Sequence, residues 1–372
     1  MKKVSIVGAG NAASITALNY YLHGKIRTKE LEDIEIYYDP NAPIERVGQG
    51  TLPNTTGVIS QVLGINHYQD NNKINAIFKS GILYENWGKK TPKHFHPFLM
   101  NSTSIHYSPH LLSKSVIESG LFKIIERNID DPEKEIDADL IFDCRGGGDR
   151  DENLYRELIS PVNSVILADK KGKDPDLLYT KCVATPHGWT FVIPGIDSVS
   201  YGYLYNNNIT SKRIAEKDFI DTFKVTPDGY LNFKNYVAKN MFFGERTVLN
   251  GNRFSFLEPL EATSTSFYEC VCGMAWNIVV DTASKDQCNH AIQREIEKIQ
   301  NFILWHYSKG SKFDSKFWRY AKKLSEKTFE DDEEFQSTLR LSRLSSSTKL
   351  WDLQESYSQW HVNSFKNWDA VL

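Results

Sequence analysis

The period of hydrophobic and polar positions changes several times along the chain, and each change marks an element. Lys3 to Val7 is a short apolar run that stops at Gly8-Ala9-Gly10, and Ala12 to Leu22, rich in alanine and leucine, follows with a helix-forming composition. A second apolar run, Ile34 to Tyr38, ends at Asp39-Pro40. Strand, turn, helix and strand in that order predict a βαβ unit. Residues 80–125 mix aromatics, prolines and short alternating segments, which suit an excursion away from the sheet this unit starts. Asp139 to Cys144 returns as a buried strand that breaks at Gly146-Gly147-Gly148. Alternation over 180–206 and 229–233 predicts an antiparallel sheet. From Ser284 to Tyr307, Ala291, Ile292, Ile296, Ile299, Ile303 and Leu304 recur at helical spacing. Lys316 to Lys327 and Asp332 to Arg343 continue as charged helical segments, and Ser345 to Thr348 reads as a loop. The pattern predicts an α/β fold. A Rossmann-like nucleotide domain is interleaved with an antiparallel layer over 1–283, and a helical region over 284–372 packs on that core.

Composition narrows the partners. Forty-four Lys and Arg against 47 Asp and Glu leave a formal net charge of -3, too weak a field to gather nucleic acid or an anionic membrane. The five cysteines are scattered, and the close pair Cys270-x-Cys272 lacks the spacing of a zinc or dithiol site. The histidines show no metal-ligand spacing either, so no metal is expected. The first apolar run is too short for a signal-peptide core or a membrane span. A cytoplasmic protein with reduced thiols fits these features, and self-association into a homo-oligomer stays open.

The first chemistry-bearing motif is Gly8-Ala9-Gly10-Asn11-Ala12-Ala13. Its two glycines allow a tight turn and close approach of a pyrophosphate to the next helix N-terminus, and Ala13 takes the third place, where a small residue lets helix and strand pack. Asp39 is the candidate acceptor for the adenosine ribose hydroxyls. Its distance from the glycines exceeds the usual twenty or so residues, so the first helix or its loop must be extended. The motif alone does not choose between FAD and NAD.

Further along stand Gly48-Gln49-Gly50-Thr51-Leu52-Pro53-Asn54, then Phe78-Lys79-Ser80-Gly81-Ile82-Leu83-Tyr84-Glu85-Asn86-Trp87, then Phe95-His96-Pro97-Phe98. Trp189-Thr190-Phe191-Val192-Ile193-Pro194 follows, then Gly251-Asn252 and Phe256 through Thr263, and Phe302 to Tyr307 with Phe317-Trp318-Arg319. In this order the blocks resemble the flavin-dependent halogenases of the tryptophan-halogenase type, across residues 4–320. The chain is shorter than typical members, on the substrate side and at the C-terminus. A compact form such as a phage genome would carry fits that shortening.

The resemblance implies the FAD-binding fold shared with flavin monooxygenases, FADH2 supplied by a separate flavin reductase, and halide oxidised to hypohalous acid that travels through an internal tunnel to a small aromatic substrate. It implies roles for residues in turn. Lys79 receives the hypohalous acid; an amine donates hydrogen bonds when charged and is a nucleophile when neutral. Glu261 lies near that lysine and takes the proton from the ring, whereas Glu258 reads as structural. Thr263 and Ser264 fall at the halide site, where backbone N–H groups and a hydroxyl meet an anion. Ala262 stands where serine is common and Ser264 where glycine is common, which opens the site to bromide or iodide in preference to chloride. Trp189 and Phe191 wall the flavin from the substrate, with Phe191 in place of a second tryptophan. His96 and Phe98 line the substrate pocket. Gly48, Gln49, Asp143, Gly146, Asn252 and Pro259 join Gly8, Gly10, Ala13 and Asp39 at the cofactor. Gln49 replaces the family's usual glutamate, and Arg145 a small residue.

Two other classes remain at this point. A flavin monooxygenase would use the same cofactor for direct oxygen insertion, leaving Lys79 and Glu261 without work. A non-catalytic flavin-fold protein would bind a partner through its helical end, with Trp351, Trp360 and Trp368 either a docking surface or a cover for the core.

Overall fold

A computed structural model describes residues 2–45, 47–99, 102–147, 151–174, 177–344 and 355–371; the predicted loop Ser345 to Thr348, Gly148 and Trp351 lie outside them. The chain forms two compact units that alternate along the sequence. The first comprises Met1–Phe78, Ser104–Leu158 and Asn235–Arg294, and the second Lys79–Thr103, Ile159–Lys234 and Glu295–Leu372. This division differs from the expected boundary at 283, because the long helix Lys285–Lys309 gives residues to both.

In the first unit the predicted βαβ motif is realised. Val4–Val7 pairs in parallel with Glu35–Tyr38 on one side and with Leu140–Asp143 on the other. The six-stranded sheet runs Phe242–Phe243, Thr247–Leu249, Leu140–Asp143, Val4–Val7, Glu35–Tyr38 and Lys123–Glu126. Its central strands are buried along their whole length, as parallel strands covered on both faces must be. Ser104–Leu158 lies in the first unit and Lys123–Glu126 in this sheet, so the excursion predicted for 80–125 ends at Thr103. The helix Asn11–Tyr20 continues in π-helical winding over Tyr21–Arg27, which accounts for the long spacing to Asp39. Glu35, 4% exposed, is buried in the sheet because Ser5, Tyr37, Lys3 and Lys123 all answer its carboxylate. A helix not anticipated from the sequence, Ser264–Val279, packs on Asn11–Tyr20.

The second unit is built on a seven-stranded sheet in the order Gly229–Asn232, Ser164–Lys171, Ser198–Tyr205, Gly188–Pro194, Thr180–Thr185, Gly81–Glu85 and Lys93–Pro97. It is antiparallel as predicted, except where Thr180–Thr185 meets Gly81–Glu85 in parallel. Ser164–Lys171, not anticipated from the sequence, lies between two of the predicted strands. Ala215 and Phe219 of the helix Lys212–Phe223 pack on Ile166, Ala168, Tyr203 and Tyr205. A second cluster is aromatic. Trp87 meets Trp318, Tyr307 and Trp189 edge to face at 5.1, 5.5 and 6.2 Å. Three of the buried indole N–H groups have partners: Trp87 donates to the Cys182 carbonyl, Trp318 to that of Thr185, and Trp189 to the Tyr307 hydroxyl at 2.7 Å. Trp360 stacks on Phe302 at 3.8 Å and Trp368 is fully buried, so these two tryptophans cover the interior of the unit. Among the described residues no helix is long and apolar enough to cross a membrane.

Strand approach in this sheet depends on glycine. A Cβ at Gly188 would collide with the Leu204 carbonyl oxygen, and one at Gly202 with the ring of Phe191. A backbone atom cannot move aside, whereas a ring can turn. Gly188→Ala should therefore cost about 1–3 kcal/mol of stability and Gly202→Ala less. Urea unfolding measures both, and parental stability in Gly188→Ala would contradict this packing.

Candidate active site

The first unit carries the nucleotide features. Gly8 has φ +118° and its α-carbon lies against the Cys144 carbonyl, where no Cβ fits. Gly10 caps the helix Asn11–Tyr20, and among the described residues no atom lies within 4 Å of where its Cβ would stand. Among the described residues no acceptor meets the N–H groups of Asn11, Ala12 or Ala13. Unmet N–H groups at a helix start, next to a glycine with room over its α-carbon, suit a pyrophosphate. Ala13 is buried in that helix, and it is Ala12 that Gly251 packs against. Asn11 accepts a 2.5 Å hydrogen bond from the Tyr107 hydroxyl, tying the turn to the strand Ser104–Tyr107. Asp39 follows its strand directly, and its Oδ1 accepts from the backbone and side chain of Asn41. Asp143 is 2% exposed, with both carboxylate oxygens engaged by Arg145 and one also by Arg253. Gly146 has φ +83°, and no described atom lies within 4 Å of where its Cβ would stand.

Gly48 precedes Gln49–Gly50, a two-residue strand paired with Tyr107 and His106. The Gln49 amide donates to Glu45 at 3.1 Å, so a carboxylate stands beside the position where the resemblance expects one. Glu45 keeps access to solvent, but surrounding protein pushes its carboxyl up to about 7. Burial does the same to Glu269 on the helix Ser264–Val279, also up to about 7. The sequence reading missed both. Glu45 was findable as the nearest acid to Gln49, whereas Glu269 had no local signal.

Ahead of the same helix, Glu258 and Glu261 are 1% and 3% exposed. Pro259 accepts from the Ala262 N–H at 3.1 Å, and Ala262 then takes φ +54° before Thr263 returns to φ -81°. Consecutive left- and right-handed residues turn their N–H groups into one concavity, here at the start of a 16-residue helix. No described acceptor meets the N–H groups of Thr263 or Ser264. Asn252 is exposed in the 3-10 turn Gly251–Arg253, its carbonyl bound by the Tyr236 hydroxyl at 2.6 Å.

The second unit begins with Lys79, which ends the strand Ile77–Lys79 and has no exposed surface. Its Nζ lies 5.3 Å from the centre of the Phe98 ring, within cation–π range. The register explains the meeting: Gly81 opposes Pro97 so closely that a Cβ would strike the His96 carbonyl, which brings Phe98 back to the start of the strand Gly81–Glu85. His96 is 8% exposed, and its Nε2 bonds Ser364 of the C-terminal helix Val362–Val371 at 3.0 Å. Trp189 is fully buried and pinned by Tyr307, and Phe191 lies over Gly202. Lys79 and Phe98 thus come together in this unit, whereas His96 lies beneath a helix.

The chain matches the family model described as tryptophan halogenase over residues 3–115 and 124–367. Tryptophan 7-halogenase RebH of Lentzea aerocolonigenes is 21% identical, the alignment covering 87% of this chain and 79% of that protein. Among solved structures, a tryptophan halogenase from Shewanella frigidimarina superposes with a TM-score of 0.78 at 17% identity, covering 99% of this chain and 88% of that one. Xcc4156, a flavin-dependent halogenase from Xanthomonas campestris, gives 0.77 at 17% identity, covering 100% and 89%.

Two predictions follow from the first unit. Gly10→Val fills the space over the turn and should cost about 1 kcal/mol or less of stability, yet weaken dinucleotide binding at least about tenfold; tight binding by a folded Gly10→Val protein would remove the turn from the site. Glu269 has a folded value raised from 4.5 to about 7, so its contribution to stability is whole below pH 4.5 and is lost as pH rises through about 7. Melting temperature against pH should fall less over that window in Glu269→Gln than in the parent.

Proposed function

The chain belongs to the tryptophan halogenase family, whose members are flavin-dependent oxidoreductases, and from that premise we propose that it halogenates a small electron-rich aromatic, an indole or a phenol. Reduced FAD from a separate flavin reductase, together with dioxygen, supplies the oxidant that converts halide to hypohalous acid. The residues at the glycine turn fit that cofactor: bare N–H groups, open space over Gly10, and Gly8 against the Cys144 backbone. The relative RebH is named for tryptophan, so an indole is the first substrate to try.

The observation that carries the reading is Lys79, an amine with no exposed surface held against the ring of Phe98. In this role Lys79 takes the hypohalous acid and hands its halogen, as the electrophile, to a ring carbon. The oxygen leaves as hydroxide and becomes water on protonation. Glu261, a buried carboxylate, takes the proton that the ring carbon loses. Phe98 suits an aromatic partner by stacking or edge contact. His96, engaged by Ser364, shapes the strand that presents it. Trp189, pinned by Tyr307, keeps a fixed aromatic wall on the flavin side of the substrate.

The concavity at Ala262, Thr263 and Ser264 offers N–H groups to halide. With Ala262 removing a hydroxyl and Ser264 adding one, bromide and iodide, which lose electrons more readily than chloride, are the favoured ions. The cytoplasm, where a reductase keeps flavin reduced, is the setting this chemistry needs.

Lys79→Ala should abolish halogenated product while FAD binding and hypohalous acid release, trapped by methionine in solution, persist. Product at the parental rate would sink the delivery role. Glu261→Gln should slow turnover about 100-fold or more, and an unchanged rate would remove Glu261 from proton transfer.

A further inference from the structure

Asp143 ends its strand level with Val7, one residue before the glycine turn. Arg145 meets it with two prongs, Nε to Oδ1 at 2.9 Å and Nη2 to Oδ2 at 2.8 Å. The remaining nitrogen, Nη1, donates to the carbonyls of Ile129 and Asp130. Arg145 is therefore engaged on the protein through all three nitrogens. Arg253 is not. It gives Nε to Asp143 Oδ2 at 3.1 Å, and among the described residues no acceptor meets its Nη1 or Nη2. Its side chain is 31% exposed.

The 3-10 turn that carries Arg253 is seated on the nucleotide helix, because Gly251 at φ +63° lies so close to Ala12 that no Cβ fits between them. Two buried hydrogen bonds hold the approach to that turn: Asn250 donates its backbone N–H to the Asp143 carbonyl and its side chain to Thr16. A guanidinium whose Nη1 and Nη2 meet no described acceptor is thus carried by the turn that packs on Ala12, in the first turn of the helix whose leading N–H groups also meet no described acceptor. One carboxylate and two guanidiniums leave the cluster with a charge of about +1, where Asp143 alone would repel an anion.

We propose that Arg253 is a pyrophosphate ligand, its Nη groups taking phosphate oxygens of the dinucleotide while Asp143 orients the guanidinium and Arg145 offsets the remaining charge. The inference rests on the FAD reading above and deepens it to a residue the sequence did not single out. A planar fork with parallel N–H groups matches two phosphate oxygens, and such charge-assisted bonds are among the stronger ones. Arg145 and Asp143 act as positioning residues, because their polar atoms are already satisfied within the protein.

The test is binding to the purified full-length protein, read by calorimetry with FAD, ADP and riboflavin, the last carrying the ring system without phosphate. Arg253→Gln should raise the Kd for FAD and ADP about 10- to 100-fold and leave that for riboflavin within about twofold. Arg253→Lys, which keeps the charge and loses the fork, should fall between. Parental ADP affinity in Arg253→Gln overturns the proposal, and so does an equal loss for riboflavin, which would mark a general structural defect. Should Arg253→Gln fail to fold because Asp143 is left partly unanswered, the double variant Asp143→Asn with Arg253→Gln removes both charges and is held to the same outcomes. A parent protein that binds neither FAD nor ADP would instead overturn the cofactor reading on which this one stands.

Discussion

A charged group withdrawn from water costs several kcal/mol unless something nearby answers it, and this chain withdraws Glu35, Lys79, Asp143, Glu258 and Glu261 to within a few per cent of full burial. That cost organises both units. Around Glu35 and Asp143 the answer is visible as lysine, arginine and hydroxyl partners that lock neighbouring strands of the parallel sheet. Lys79 is held against an aromatic face, and the geometry that brings Phe98 to it depends on the bare α-carbon of Gly81. Groups kept at such expense and assigned chemical work in the proposed reaction need rigid surroundings, which all-buried strands and paired indoles supply.

Most of the departures from the residues usual in the family fall in one unit. Gln49, Arg145, Ala262 and Ser264 all belong to the unit that carries the nucleotide motif, and each alters a charge or a hydrogen-bonding group there. The structure answers two of them locally. Glu45 brings a carboxylate to Gln49, and Arg145 spends itself on Asp143 and two carbonyls. In the second unit Phe191 keeps an aromatic ring without an indole N–H, and that ring lies over the bare α-carbon of Gly202 across the sheet.

The βαβ unit, the antiparallel character of 180–206 and the long helix after Ser284 were legible because each is a short-range pattern, a glycine turn or a period of two or 3.6 that neighbours in sequence express directly. Lys79 was legible only through the order of motifs around it, since nothing local distinguishes one lysine from another. Ser164–Lys171 was missed although alternation is visible in its burial, and Ser264–Val279 because its first turn reads as a continuation of a polar loop. His96 shows the other limit: no local pattern foretold that its ring nitrogen meets Ser364, 268 residues away.

By itself the sequence determined the glycine turn, the family and the lysine on which the chemistry is expected to rest, because these depend on residue type and order along the chain. Only the tertiary structure decided which charges are answered and by whom. That Asp143 is taken by two arginines 2 and 110 residues away, that two Arg253 nitrogens meet no acceptor among the described residues, and that Phe98 faces Lys79 follow from strand register and close backbone approach. A buried charge is stabilised by whatever the fold brings within a few ångströms, and a linear sequence does not encode that distance in any local pattern.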